Sequence, residues 1–279
     1  MTASQLTVST GSATDAQSRL ALDALRSQRR RLVDLFSAFD DDAWTAPTRC
    51  AEWSVHEVVR HLCDVTVRWH ALLRGEPPET VGTAALDPRT TPVVWLEGSA
   101  GESPVDTIGV FDRASADLLE DVAELATRNA IDRCLLPYGA VPWSALMLHL
   151  FWDAWVHERD ILLPLDRTHA SPTIESRAAA TYALVMAAVP FLLLGTPFEE
   201  TVVLDGDGGG SFQIHVRDGA VTVRMGEADD TPDPLRGALP IVVDSLIGRG
   251  PQPSQVLRGP AERAEALGKL RRFVLTPVA

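Results

Sequence analysis

The stretch Pro142 to Leu163, PWSALMLHLFWDAWVHERDILL, sets Asp153 and His157 four residues apart on a helical stripe shared with Leu146, Leu150 and Ile161. A carboxylate and an imidazole at that spacing stand one turn above each other, and burying both is costly unless a partner satisfies them. A divalent metal ion is the simplest such partner. A third donor is available on another helix. In EWSVHEVVRHLCDV, Ser54 and Glu57 have capping-box spacing, so a helix starts at Ser54 and carries His61 two turns inside it. Val58, Leu62, Val65 and Trp69 recur beside His61 at helical spacing, which puts it at the edge of a core-facing stripe. Two histidines and one carboxylate leave coordination positions open, as in a catalytic zinc site, and the set also suits non-haem iron or another first-row metal. A plainer reading stands beside this one: an ion pair along the helix, with the histidines as hydrogen-bonded core filler. His149, four residues before Asp153, offers an alternative pair. His149 and His157 cannot readily share one ion, because they lie about 12 Å apart along the helix axis.

Five helical segments are needed to position these groups. Residues 15–40 place Leu22, Leu25, Leu32, Phe36 and Phe39 on one face, and the second helix runs from Ser54 to about Leu73. A loop rich in proline, glycine and threonine, Gly75 to Ser103, separates it from a third helix announced by Ser103 and Pro104, with Asp106 suited to its positive end. The Asp153 helix starts at Pro142 and ends before Pro164. A fifth starts at Ser171 and Pro172 and stops at Gly195. The apolar run Ala178 to Leu194 is short for a membrane span and contains Pro190, so it reads as a buried helix. After Gly195 the period becomes alternating: ETVVLD, SFQIHVRD and AVTVRMG read as an antiparallel meander joined by DGDGGG and DG turns. A helix near Leu239 to Ile247, a strand at Gln255 to Leu257 and a helix from Pro260 to Phe273 complete an α+β module. Asp205 to Gly210 resembles the start of a calcium loop but has Gly209 at its third acidic position, and it reads as a hairpin turn. His215 alternates with Phe212 and Ile214 on its strand and faces the solvent side or the domain interface.

Composition narrows the function classes. The chain has 279 residues, 46% of them hydrophobic, and a formal net charge of −13. That length suits two domains, and that charge leaves no electrostatic footprint for nucleic acid. Lys269 is the only lysine, an arginine preference compatible with a high-GC genome. Cys50, Cys63 and Cys134 form no CxxC pair, which fits a reduced cytoplasmic setting. Cys63 follows His61 by two residues, points to roughly the opposite side of the helix and reads as a core thiol. The first residues, MTASQLTVSTGSATD, lack an apolar stretch and read as a frayed polar leader rather than a signal peptide. No nucleophile elbow, Walker loop or dinucleotide-binding glycine pattern is present.

The segment TRCAEWSVHEVVRHL followed by FWDAWVHERDIL resembles the mycothiol-dependent maleylpyruvate isomerase family, part of the wider DinB-like group of metal-binding helical bundles. The resemblance covers most of the chain, since that family also carries a small sterol-carrier-like C-terminal domain. It implies a mainly α plus α+β fold: a DinB-like four-helix bundle in residues 1–195 and a small α+β domain in residues 196–279. The family's metal is held by a histidine on the second helix and by a Glu-x-x-x-His pair on a later one. The matching positions are His61, Asp153 and His157, with aspartate in place of the usual glutamate.

The resemblance further implies a metal-dependent, mycothiol-dependent isomerase or thiol S-transferase, with a divalent ion, most simply zinc, and mycothiol as thiol cosubstrate. The thiolate would add to an electrophilic carbon of a small unsaturated acid. Rotation and expulsion of the thiol would give cis to trans isomerisation, and retention would give a conjugate. The substrate's charge calls for an arginine: Arg249 in SLIGRG and Arg258 in VLRG are the catalytic candidates, with Arg60 and Arg68 on the second helix. Two other readings remain open here. One is a hydrolase using metal-bound water with Glu158 or Asp64 as proton acceptor. The other is a non-catalytic small-molecule-binding protein. The expected partners are a small-molecule substrate and a low-molecular-weight thiol, without nucleic acid or membrane, in a cytoplasmic monomer or homodimer.

Overall fold

The computed structural model describes residues 7–9, 14–83, 87, 90–127, 133–136, 139–169, 171–226 and 233–270. Its helical part comprises α1 (Thr14–Ser37), α2 (Asp41–Thr45), α3 (Val55–Leu73), α4 (Thr91–Gly98), α5 (Pro104–Thr127), α6 (Trp143–Leu162) and α7 (Thr173–Leu193). The expected capping box opens α3: Ser54 Oγ accepts from the Glu57 amide, and Glu57 Oε2 accepts from the Ser54 amide at 2.7 Å. Ser103 and Asp106 form the same reciprocal pair ahead of α5. Gly195 ends α7 at φ 62°, and the Thr196 amide reaches back to the Phe191 carbonyl at 2.9 Å, which satisfies carbonyls the helix leaves open.

Helix α6 decides the rest of the architecture. It packs against α1, α3 and α7, and nearly all its residues are buried, His157, Glu158, Arg159 and Asp160 among them. Polar groups so placed must find partners inside the protein. Helix α7 lies between the bundle and the C-terminal sheet. By length and hydropathy it could cross a membrane, but 78% of its apolar window is buried within the fold, as the expected core helix requires.

The C-terminal part contains β4 (Phe198–Asp205), β5 (Gly210–Arg217) and β6 (Ala220–Gly226), then β7 (Leu235–Ala238), α8 (Leu239–Leu246), α9 (Pro253–Val256) and α10 (Ala261–Leu267). The meander is antiparallel as expected, with Val202 opposite Phe212 and Ile214 opposite Val223. These residues are buried on the face that meets α7. The DGDGGG segment is a hairpin turn, whose Asp207 accepts from Thr173 Oγ1 at the start of α7. A Cβ on Gly208 would come within 2.6 Å of the Thr173 carbonyl, so the turn docks only with glycine there. His215 lies outside the core, beside Glu199 and Arg217.

Several expectations need correction. The long loop after α3 contains α4, and a hairpin of β2 (Arg133–Leu136) and β3 (Gly139–Pro142) precedes α6. The strand expected at Gln255 to Leu257 is instead α9, because Gln252 and Gln255 cap each other around Pro253 at the first helical position. The leader, expected to be frayed, contributes a strand. Residues Thr7–Ser9 form β1, parallel to β6, while β7 pairs parallel to β4, giving the order β1-β6-β5-β4-β7. The last helix ends at Leu267 and continues as a 3-10 turn, Gly268–Leu270; residues 271–273 lie outside the described residues.

Candidate active site

His61 from α3 and Asp153 and His157 from α6 converge as their spacing suggests. His61 Nε2 lies 3.6 Å from Asp153 Oδ2, and His157 Nε2 lies 3.7 Å from Asp153 Oδ1. The two imidazoles meet edge to face at 5.0 Å, with Trp53 against the outer side of His61 at 5.3 Å. The donors lie within 4.8 Å of one another. Both carboxylate contacts are too long for good hydrogen bonds, whereas donors about 2.0–2.2 Å from a shared ion are separated by distances of this order. Asp153 Oδ2 and His61 Nδ1 are buried without a hydrogen-bond partner. A carboxylate oxygen left unpaired among imidazole nitrogens is the donor set a first-row divalent ion requires, so the residues present fit such an ion. Asp153 keeps 23% side-chain exposure, which leaves the cluster open on its side. Burial pushes the Asp153 carboxyl up, but the His157 and His61 charges outweigh it and hold the group well below the usual carboxylate range.

His157 faces a second set of groups through its other nitrogen. Nδ1 lies 3.2 Å from Asp160 Oδ2 and 3.4 Å from Cys50 Sγ, and the Cys50 thiol donates to Asp160 Oδ2 at 3.2 Å. Burial opposes the imidazolium, yet Cys50, Asp153 and Asp160 together raise the His157 pKa well above its ordinary value. Asp160 is fully buried and held by arginines from distant parts of the chain. Arg49 donates from Nε to Oδ1 at 2.9 Å and from its backbone amide to the Asp160 carbonyl at 3.0 Å. Arg249 Nε stands 3.2 Å from Oδ2. Asp244 of α8 then accepts from Arg49 and, through both oxygens, from Arg159 at 3.0 and 2.7 Å. The C-terminal part thus reaches the cluster through Arg249 and Asp244. Sequence patterns gave no sign of Cys50 or Asp160, since Cys50 sits in an irregular segment and Asp160 reads as the end of an amphipathic helix.

The other sequence candidates lie elsewhere. Arg258 is largely exposed and pairs with Asp205, away from the cluster, because the turn after α9 points its side chain outward. Arg60 donates to the Leu96 carbonyl, and Arg68 donates to the Val81 carbonyl and lies over Trp95, so both fasten the α4 loop to α3. His149 shares a hydrogen bond with Tyr182 at 3.1 Å and stays out of the His–Asp–His group. Cys63 donates to the Thr107 carbonyl, and burial pushes its thiol up to about 12. Glu158 does not face the cluster. It is locked to Arg31, which also grips Glu175, and lies 3.3 Å from His169. Asp64 is half-buried with an unpartnered oxygen, and its pKa is raised by burial.

These features define a helical-bundle protein with a His–Asp–His centre at its junction with a C-terminal α/β part. Residues 25–162 match the family model of the mycothiol maleylpyruvate isomerase N-terminal domain. The chain therefore carries the N-terminal domain of the mycothiol maleylpyruvate isomerase family. The fold is similar to the crystal structure of the mycothiol-dependent maleylpyruvate isomerase, at TM-score 0.53, and to that of its histidine-to-alanine mutant, at 0.54. In both cases identity is 14%, over 88% of this chain and 92% of the other. No curated protein matches the chain by sequence.

Proposed function

We propose that the chain is a mycothiol-dependent isomerase or thiol S-transferase acting on a small unsaturated acid, with one divalent ion, zinc, held by His61, Asp153 and His157. The observation that carries the reading is the Asp153 carboxylate, its Oδ2 unpartnered, set between His61 Nε2 and His157 Nε2 inside a bundle of this family. When bound, the ion supplies the positive charge that keeps a thiol as its reactive thiolate. Asp153 contributes one negative charge against the ion, and the two imidazoles contribute none, so the centre retains net positive charge for an anionic thiolate. Trp53 covers one side of His61 and restricts approach to the side where Asp153 is exposed. Arg249 is the nearest cation from the C-terminal part and is the group assigned to the substrate's carboxylate; Arg258 is too remote. In this reading residues 1–195 form the metal-binding domain, and residues 196–279 form a second domain that completes the site.

Addition of a thiol to a cis double bond, rotation about the resulting single bond and expulsion of the thiol give the trans isomer and return the thiol. Protein purified without chelators should contain about one divalent ion per chain and convert maleylpyruvate only when mycothiol is added. The hydrolase reading now rests on Asp64 alone, since Glu158 is held by Arg31 and His169. Turnover that is indifferent to the thiol would favour it and overturn the isomerase assignment.

A further inference from the structure

We infer that Asp160 is a positioning residue for the metal centre: its carboxylate fixes the ring orientation and tautomer of His157, and one arginine from each side of the domain junction holds that carboxylate in place. The inference rests on the metal-binding reading above and concerns a residue outside the ligand set. For His157 to offer a lone pair at Nε2 toward Asp153 and His61, its proton must sit on Nδ1. The groups facing Nδ1 are Asp160 Oδ2 at 3.2 Å and Cys50 Sγ at 3.4 Å. The Cys50 thiol donates its own hydrogen to Asp160 Oδ2, so it does not supply one to Nδ1. Nδ1 therefore faces two acceptors, which selects the tautomer with Nε2 free.

The carboxylate cannot turn away easily. Arg49 fixes Oδ1 at 2.9 Å, Arg249 Nε stands 3.2 Å from Oδ2, and the Arg49 amide fixes the backbone at the same residue. A ligating histidine whose far nitrogen is held in this way loses less orientational freedom on binding metal, and removing such a carboxylate typically weakens metal affinity or activity 10–100-fold. Asp244 supplies an internal comparison. It belongs to the same ion network, bonded to Arg49 and Arg159, but does not touch His157.

The test uses the full chain stripped of metal, titrated with zinc against a chromophoric chelator, in wild type, Asp160→Asn and Asp244→Asn. Circular dichroism confirms the fold of each, and apo-protein denaturation reports any stability loss separately. Asp160→Asn should weaken zinc binding by about 10–100-fold. Asp244→Asn should lower stability while leaving zinc affinity within about threefold, the scatter expected for a group outside the ligand's contacts. Nitrogen-15 histidine spectra of the apo-protein, recorded at a pH high enough to deprotonate the His157 imidazolium, should show its Nδ1–H tautomer lost in Asp160→Asn alone. Unchanged zinc affinity in Asp160→Asn, or an equal loss in both variants, overturns the inference and leaves the metal site standing. Absence of zinc binding by wild type overturns the metal site itself.

Discussion

Replacing Arg31 by methionine tests whether Glu158, one residue from His157, is a structural group or a catalytic base. Among the described residues, Arg31 alone pairs with both Glu158 and Glu175, and the two glutamates are almost completely inaccessible. Methionine keeps most of the volume and removes the charge. Losing one partner of a buried pair costs about 3–5 kcal/mol, because the remaining ion is left uncompensated. Glu158 retains His169 at 3.3 Å, and Glu175 retains the Ser27 hydroxyl at 2.6 Å, so the lower end, about 3 kcal/mol, applies. The penalty should depend on pH. In the wild type, burial pushes the Glu158 carboxyl up, but His169 and Arg31 pull it below its ordinary value. A depressed folded-state pKa contributes stability that is present above the unfolded value and lost as pH falls through the folded one. Without Arg31 the folded-state pKa rises instead, so protonation relieves the strain, and the difference between variant and wild type should shrink between pH 7 and about pH 5. Urea denaturation across that range measures it. A loss below about 1 kcal/mol at pH 7, the ordinary value for a surface pair, or a loss independent of pH, would refute the argument.

Asp153→Ala should abolish stoichiometric metal binding, whereas Asp153→Glu should retain it within about tenfold, since the carboxylate survives; equal loss in elemental analysis would make Asp153 a plain ion-pair residue. Arg249→Met should lower thiol-dependent turnover on the order of 10²-fold even at saturating metal, as expected for a charge that stabilises a reacting anion. Arg258→Met should leave turnover within about twofold, which is the scatter of an exposed salt bridge, and comparable losses in both would contradict the placement of Arg258. Cys63, its thiol pushed up to about 12 by burial, should resist a disulfide-exchange reagent in native protein at pH 8 and react only on unfolding; rapid labelling, located by peptide mass, would show that the site opens.

The sequence by itself determined what depends on local period. Helical spacing and the Ser54–Glu57 box fix where α3 starts, hence which way His61 turns, and an i, i+4 step puts Asp153 and His157 on one stripe whatever surrounds them. Alternation likewise fixed the β4–β5–β6 meander, because side-chain direction along a strand repeats every second residue. Parallel pairing carries no such mark. Strands β1 and β7 are too short to show a period, and their partners lie far along the chain. Charges were the least legible. Glu158 reads as a polar group free to accept a proton, and Arg249 and Arg258 look alike as sequence. Only the tertiary structure decided that Glu158 meets Arg31, that Arg249 reaches Asp160 while Arg258 faces solvent, and that Cys50 lies against His157. The reason is physical: a helix of known register fixes the direction of its side chains, but the partner that satisfies a buried charge is chosen by whichever distant segment packing brings within a few ångströms.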